Sequence, residues 1–169
     1  MKVILFRGRP GTGKTLLSGL LAKRLNIVVL RKDDIYDNIA FLNAEHSLRN
    51  KATYNVLYTV LKSNECSASK IILDFPFQLE EDIDELAVWC HAHSVELKSI
   101  LVTCSDEGLW AERFNKRAKS PAPNQLITDF EQLKSRYTTM QIKAHAGELL
   151  IDTVNSADEN IAAIVTFVD

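Results

Sequence analysis

Short apolar runs of strand length recur along this chain, and between them the apolar residues return every three or four positions. The runs fall at 2–7 (K-V-I-L-F-R), 27–30 (I-V-V-L), 70–74 (K-I-I-L-D), 97–103 and 148–151. Leu16, Leu17, Leu20, Leu21 and Leu25 mark one face of a helix after the first run, and Val56, Leu57, Val60 and Leu61 mark one before the third. Leu79, Ile83, Leu86 and Cys90 give a helix after the third run, and Ala157–Val168 reads as a closing helix with Ser156 as its N-cap. Strand-length runs alternating with helical patterns predict an α/β fold with a parallel sheet. No repeat, low-complexity tract or linker interrupts the pattern, so residues 1–169 are expected to form one domain. The strongest breakers sit at Ser120-Pro121-Ala122-Pro123-Asn124, a connection or part of a lid between two charged helical stretches.

The first run leads straight into Gly8-Arg9-Pro10-Gly11-Thr12-Gly13-Lys14-Thr15, which satisfies G-x-x-x-x-G-K-[ST] at every fixed position. Three of the six glycines in the chain lie in this octet. Glycines let successive backbone N–H groups turn inward around phosphates, and the following helix aims its N-terminus at the same anion. A glycine-rich turn before a helix would account for the glycines but not for Lys14, suited to β/γ-phosphates, or Thr15, suited to Mg²⁺. The expected nucleotide contacts are Gly8, Arg9, Pro10, Gly11, Thr12, Gly13, Lys14 and Thr15, with Leu16 just beyond.

Composition narrows the setting. The chain has 169 residues, 46% of them hydrophobic and 25% charged, as in a globular protein with one good core. A net charge of −2 gives no general attraction to nucleic acid or anionic membrane. Cys66, Cys90 and Cys104 are odd in number and form no C-x-x-C pair, so they read as reduced, mostly buried thiols of a cytoplasmic protein. The first apolar run is too short for a leader, and no run approaches bilayer length.

Acids follow two of the runs. In Arg31-Lys32-Asp33-Asp34-Ile35-Tyr36-Asp37, Asp33 and Asp34 belong at the carboxyl edge of the sheet, where open α/β sheets bind ligands. One could take the proton of a substrate hydroxyl, while the other caps the helix that runs toward Phe41. The third run ends at Asp74, placed to help Thr15 hold Mg²⁺ or its water. Phe75 follows it, where hydrolysing motors commonly carry Glu, which favours transfer to a bound acceptor. Asn50-Lys51 and Asn115-Lys116 are each followed by residues that break N-K-x-D, so a GTPase is disfavoured.

After the fourth run, Arg113 and Arg117 are one helical turn apart, beside Trp110. Fixed over a triphosphate they would neutralise developing charge; the alternative is a solvated basic face. Asn50 and Tyr54 share a helix face and are candidates for a substrate pocket or for plain polar surface. His46, His91, His93 and His145 are scattered and lack a ligand pattern.

With these motifs in order, the chain resembles the small P-loop kinases of the nucleoside-monophosphate and shikimate-kinase-like class. It is most similar to the "AAA domain" ATP-binding kinases related to polynucleotide 5′-hydroxyl kinase, gluconate kinase and chloramphenicol phosphotransferase. The resemblance rests on the octet, on Lys32-Asp33-Asp34-Ile35, on Asp74-Phe75-Pro76-Phe77, on Trp110-x-x-Arg113-x-x-x-Arg117 and on Ile151-Asp152-Thr153. It implies a P-loop NTPase α/β/α fold with a five-stranded parallel sheet in order 2-3-1-4-5 and a helical lid over about 106–140. It implies ATP and Mg²⁺ as cofactors, Lys14, Asp33, Arg113 and Arg117 as catalytic residues, and Thr15 with Asp74 at the metal. Asp33 would activate the acceptor, Arg113 and Arg117 would be lid arginines, and Asp152 and Thr153 would lie near the adenine.

One departure bears on the acceptor. Relatives acting on anionic acceptors carry Arg three residues after the first acid, where this chain has Tyr36; Arg31, Lys32 or Arg49 are the available substitutes. The glycine pair of shikimate kinase is replaced by Phe75-Pro76, which points to a bulkier, more apolar acceptor pocket. The expected activity is phosphorylation of a hydroxyl on a small molecule, with Asp33, Asp34, Tyr36, Asn50, Tyr54 and Phe75 around the substrate. A 5′-hydroxyl nucleic-acid kinase and a nucleotide-binding regulatory protein with weak ATPase activity stay open, as does the choice between monomer and homodimer. No membrane partner is expected.

Overall fold

The computed structural model describes residues 1–42, 44–140 and 142–169. Strand β1 (Lys2–Arg7) lies at the centre and pairs in parallel with β3 (Lys70–Asp74) on one side and β4 (Glu96–Thr103) on the other. Strand β2 (Val28–Arg31) extends the sheet beyond β3, and β5 (Leu149–Asp152) beyond β4. The order is therefore 2-3-1-4-5, all parallel, the P-loop NTPase α/β/α arrangement that the resemblance implies.

Period-two alternation on β1 builds the two cores. Val3 and Leu5 face α3 (His46–Asn64) and α4 (Glu80–Ala92), where they meet Leu57, Leu61, Ile83 and Leu86. Ile4 and Phe6 face α1 (Lys14–Leu25) and α7 (Ala157–Val168), where they meet Leu17, Leu21 and Ile164. Both faces of β1 are buried, so its sequence reads as an unbroken apolar run. Helix α7 begins at the expected cap: Ser156 Oγ accepts the Glu159 N–H, and the Ser156 N–H donates to Glu159 Oε2 at 3.0 Å.

Several details differ from the sequence reading. β2 and β5 each lie one residue later than the runs at 27–30 and 148–151, because Arg31 pairs opposite Asp74 and Asp152 opposite Thr103. Leu16, Val56 and Leu79 are 61%, 41% and 46% exposed, so they do not belong to the buried faces that periodicity assigned them. Only Cys90 of the three cysteines is buried, and burial pushes its thiol up to about 11; Cys66 is exposed. No helix among the described residues is long and apolar enough to cross a membrane.

A buried ion pair fixes the carboxyl edge of the sheet. Arg7, the last residue of β1, donates Nε to Glu148 Oε1 at 2.7 Å and Nη2 to Oε2 at 2.6 Å, with both side chains almost wholly enclosed. The guanidinium also reaches the carbonyls of Lys143 and Phe77, while Glu148 accepts the Ser99 hydroxyl and the His145 N–H. Every partner is satisfied, which is the condition for such a pair to be tolerated. Glu148→Gln removes the counter-charge and should lower stability by about 3 to 5 kcal/mol, read from urea unfolding. The double change Arg7→Met with Glu148→Leu should cost much less.

Candidate active site

All five strands end on one edge, and the segments that follow them surround a cavity of about 740 Å³. Its floor is the phosphate loop between β1 and α1. Gly8 has φ +132°, and a Cβ there would lie 2.3 Å from the Val102 carbonyl oxygen, so no other residue fits. Gly13 caps α1 in the left-handed region at φ +97°, which turns the chain so that the helix N-terminus opens into the cavity. Among the described residues, the backbone N–H groups from Gly11 through Leu16 have no acceptor within the protein. Six consecutive free donors around a concave loop fit a polyphosphate. Lys14 Nζ rests on the Arg9 carbonyl at 2.7 Å, and burial holds its ammonium below the usual lysine value, against the pull of Asp74 and Asp33.

The metal corner lies beside this loop. Asp74 is 8% exposed at the end of β3, and the Ser18 hydroxyl lies 3.4 Å from its Oδ2. Burial raises its carboxyl above the ordinary value, while Lys14 and the Thr15 hydroxyl act the other way. No group of three or more acidic, histidine or cysteine side chains forms a complete cation cage among the described residues. One carboxylate and one hydroxyl suit Mg²⁺, which retains waters and takes its remaining ligands from phosphate oxygens.

The two arginines of α5 (Glu107–Ala118) have separate partners. Arg113 donates Nη1 to the Thr153 hydroxyl at 2.8 Å and Nη2 to its carbonyl at 3.1 Å, so it braces the β5–α7 loop. Thr153 Oγ1 in turn lies 2.8 Å from the Thr12 carbonyl. Arg117 reaches Asp33 Oδ2 at 3.3 Å and the Asn124 side-chain oxygen at 2.7 Å. Asn124 completes the seam by giving its backbone N–H and its Nδ2 to the two oxygens of Asp37. Burial raises the Asp37 carboxyl while these two bonds from Asn124 lower it. The lid thus closes onto α2 (Lys32–Asn38) through two acids and two lid side chains.

The lid has a core of its own. Trp110 and Phe114 of α5 pack with Phe130, Leu133 and Tyr137 of α6 (Phe130–Met140). Trp110 Nε1 donates to the Pro10 carbonyl at 2.7 Å, which roots α5 on the phosphate loop. Tyr137 also bonds Gln78, which ties α6 to the segment after β3.

Of the residues expected at the site, Gly8, Pro10, Gly11, Gly13, Lys14, Thr15, Leu16, Asp33, Asp34, Asn50, Tyr54, Asp74, Arg113, Arg117 and Thr153 line the cavity. Tyr36 and Phe75 do not; they are buried at 1% and 0% exposure behind the wall, because the chain turns both rings into the core. Asp152 is also off the wall: its Oδ1 accepts the Ser105 and Val154 N–H groups, which holds its carboxyl below the usual value against a partial burial that raises it. Arg9 lies over the Trp110 ring, and the Thr12 hydroxyl turns back to the Arg9 carbonyl. Neither Asp33 nor Asp34 caps α2. The helix begins a residue earlier than that role requires, with Arg31 as N-cap and the two acids in its first turn. Sequence reasoning missed Gln78, Gln125, Arg136, Tyr137 and, as a cavity residue, His46. They come from four separate segments with no shared motif, and only folding brings them together.

Sheet order, loop and lid define a P-loop protein of small-kinase shape. The chain belongs to the AAA domain family, which matches residues 3–140. No curated protein matches it. Among solved structures, a provisionally assigned kinase of Chloroflexus aurantiacus J-10-fl superposes with a TM-score of 0.77 at 18% identity, over 99% of this chain and 98% of that one. Kti12 of Chaetomium thermophilum, solved with ADP-AlF3, gives 0.70 at 12% identity over 99% of both chains. A gluconokinase of Sinorhizobium meliloti 1021 gives 0.68 at 14% identity, over 99% of this chain and 91% of that one. At such identities the likeness carries the fold.

The Asp33–Arg117–Asn124–Asp37 seam makes a prediction about the lid. Asp37→Ala removes both acceptors of Asn124 and should speed tryptic cleavage after Arg117 and Lys119 several-fold, the loop then opening locally more often. An unchanged cleavage rate would mean that the seam does not hold the lid.

Proposed function

We propose that this protein is an ATP- and Mg²⁺-dependent phosphotransferase that phosphorylates a hydroxyl group on a small molecule. One observation carries the reading. The Asp33 carboxylate, the Lys14 loop and the Arg117 guanidinium open into one cavity, which extends beyond the loop by enough to seat an acceptor. A site for hydrolysis alone would need a residue to activate water beside Asp74, and Phe75 is buried in the core.

When bound, Mg·ATP would supply the phosphoryl group that is transferred. The N–H groups of Gly11 to Leu16 and the Lys14 ammonium would hold the β/γ-phosphate oxygens, and Thr15 with Asp74 would hold the metal. Asp33 orients the acceptor hydroxyl and takes its proton. Arg117, on Asp33 in this structure, shields the acid and would offset charge on the transferring group. Arg113 keeps the Thr153 loop against the phosphate loop. Leu16, Thr153 and Asn155 provide the nucleoside wall.

A coupled ADP-release assay over a panel of hydroxyl-bearing metabolites tests this reading, guided by thermal shifts with the non-hydrolysable analogue AMP-PNP. With an active acceptor, Asp33→Asn should lower kcat by roughly 10²- to 10⁴-fold while nucleotide affinity holds. Lys14→Met should abolish both. Full kcat in Asp33→Asn would remove the assigned base. Tight AMP-PNP binding with no transfer to any acceptor would favour a nucleotide-binding regulator.

A further inference from the structure

Part of the cavity wall is hydrocarbon that the transfer chemistry does not use. Leu133, Tyr137 and Met140 recur at helical spacing on one face of α6, and all three line the cavity. The Tyr137–Gln78 bond ties that face to the segment after β3, where Leu79 also lines the cavity. The ring of Tyr54 joins them, set edge-on against Phe77, the residue before Gln78. Leu126 and Ile127 of the lid loop add to the same lining. Since β3 lies between β1 and β2, the segment after it stands on the Asp33 side of the phosphate loop, away from the β5–α7 loop of the nucleoside wall.

Most polar groups on that side already have partners in the protein. Asp33 meets Arg117, Asp34 meets Arg31, Asp82 accepts the Leu79 N–H, and His46 Nδ1 lies 2.8 Å from the Tyr36 hydroxyl. Asp33 and Asp37 stand close enough to Lys32 to offset part of its charge. The leucines are the groups left uncovered: Leu79 is 46% and Leu126 59% exposed, although both line a cavity. Leu79 carries a second sign. It is the N-cap of α4, a position that favours Asn, Asp, Ser or Thr, and its side chain makes no cap hydrogen bond. The helix start thus forgoes a cap in favour of an apolar side chain at the cavity, and a local rule broken at a site is a mark of function.

We propose that this wall holds the body of the acceptor, and that the acceptor is a small alcohol whose reacting hydroxyl is carried on an alkyl or aryl skeleton. Leu79 and Leu126 are the residues that the skeleton covers, and Tyr54, Leu133 and Met140 form the surface beneath it. Covering them removes apolar area from water on both partners, which is the favourable term for such a ligand. The inference rests on the phosphotransferase reading. It also moves the source of the apolar pocket expected from Phe75-Pro76: Phe75 is buried in the core, and α6, the lid loop and the start of α4 supply the surface instead.

The test uses the whole protein saturated with Mg²⁺ and AMP-PNP, so that the phosphate loop is filled. The neutral dye N-phenyl-naphthylamine, whose emission rises in apolar surroundings, is titrated first, and vicinal diols from propanediol to octanediol then displace it. The dye should bind saturably, and each added methylene should tighten displacement by about three- to fourfold until the wall is covered. Leu79→Asn with Leu126→Asn should weaken dye binding by about tenfold or more and flatten the diol series. Both side chains are largely exposed and Asn suits an N-cap, so the replacement spares the core, and AMP-PNP uptake by the variant reports that it folds. If the dye does not saturate, if the wild-type diol series is flat, or if the variant behaves like wild type, the apolar subsite is wrong while the phosphotransferase reading stands. If AMP-PNP fails to bind the wild-type protein, both fall together.

Discussion

The site is built on an edge that one enclosed guanidinium–carboxylate contact holds in place. Arg7 ends the central strand, and Glu148 immediately precedes the outermost strand beyond β4. Their twin bonds set the height of β5 relative to β1, and the remaining donors of Arg7 reach the Phe77 carbonyl. Phe77 sits at φ +34°, a left-handed conformation that a bulky aromatic residue adopts only under constraint from its surroundings. Arg7 on its carbonyl and Tyr54 edge-on against its ring supply that constraint. Gln78, Leu79 and Asp82 on the cavity wall follow soon after, so a charge buried below the site helps to determine where part of that wall stands.

The cavity divides into halves of different construction. The phosphate-loop half has as its floor one continuous segment, a strand, a glycine-bearing loop and the first turn of a helix, whose geometry is enforced by backbone close approaches such as Gly8 on Val102. The other half is assembled from α2, α3, the segment after β3 and the lid. It is held by side-chain bonds, of which the Asp33–Arg117 and Asp37–Asn124 contacts are the lid's share. A backbone-built half can bind one common ligand in many proteins, whereas a side-chain-built half can change its ligand by few substitutions.

This division also explains what the sequence made legible. The octet Gly8–Thr15, the strand ending in Asp74 and the Ser156 cap are local patterns, and each lies within a residue or two of where it was expected. Asp33 and Arg117 could be placed on the correct edge because parallel topology puts every strand's carboxyl end there. Tyr36 and Phe75 were misplaced because which way a side chain turns, within α2 or just after β3, depends on packing from α3, which no short pattern records. Leu16 was read as a core residue by periodicity, although it stands at the helix end that opens into the cavity. Arg136 and Gln125 left no sequence signal, since they reach the cavity only once α6 and the lid loop are folded.

The indole bond from Trp110 to the Pro10 carbonyl gives the phosphate loop a built-in optical sensor. The chain has two tryptophans, and the other, Trp89, lies stacked at 4.1 Å on His93 in α4 and its C-cap. The indole also leaves only 3.4 Å to where a Cβ on Gly11 would stand, so a change in the loop's polarity or hydration is expected to alter the emission of one identifiable fluorophore. Occupancy of the phosphate-loop half can therefore be followed in the unlabelled protein in real time, independently of any turnover.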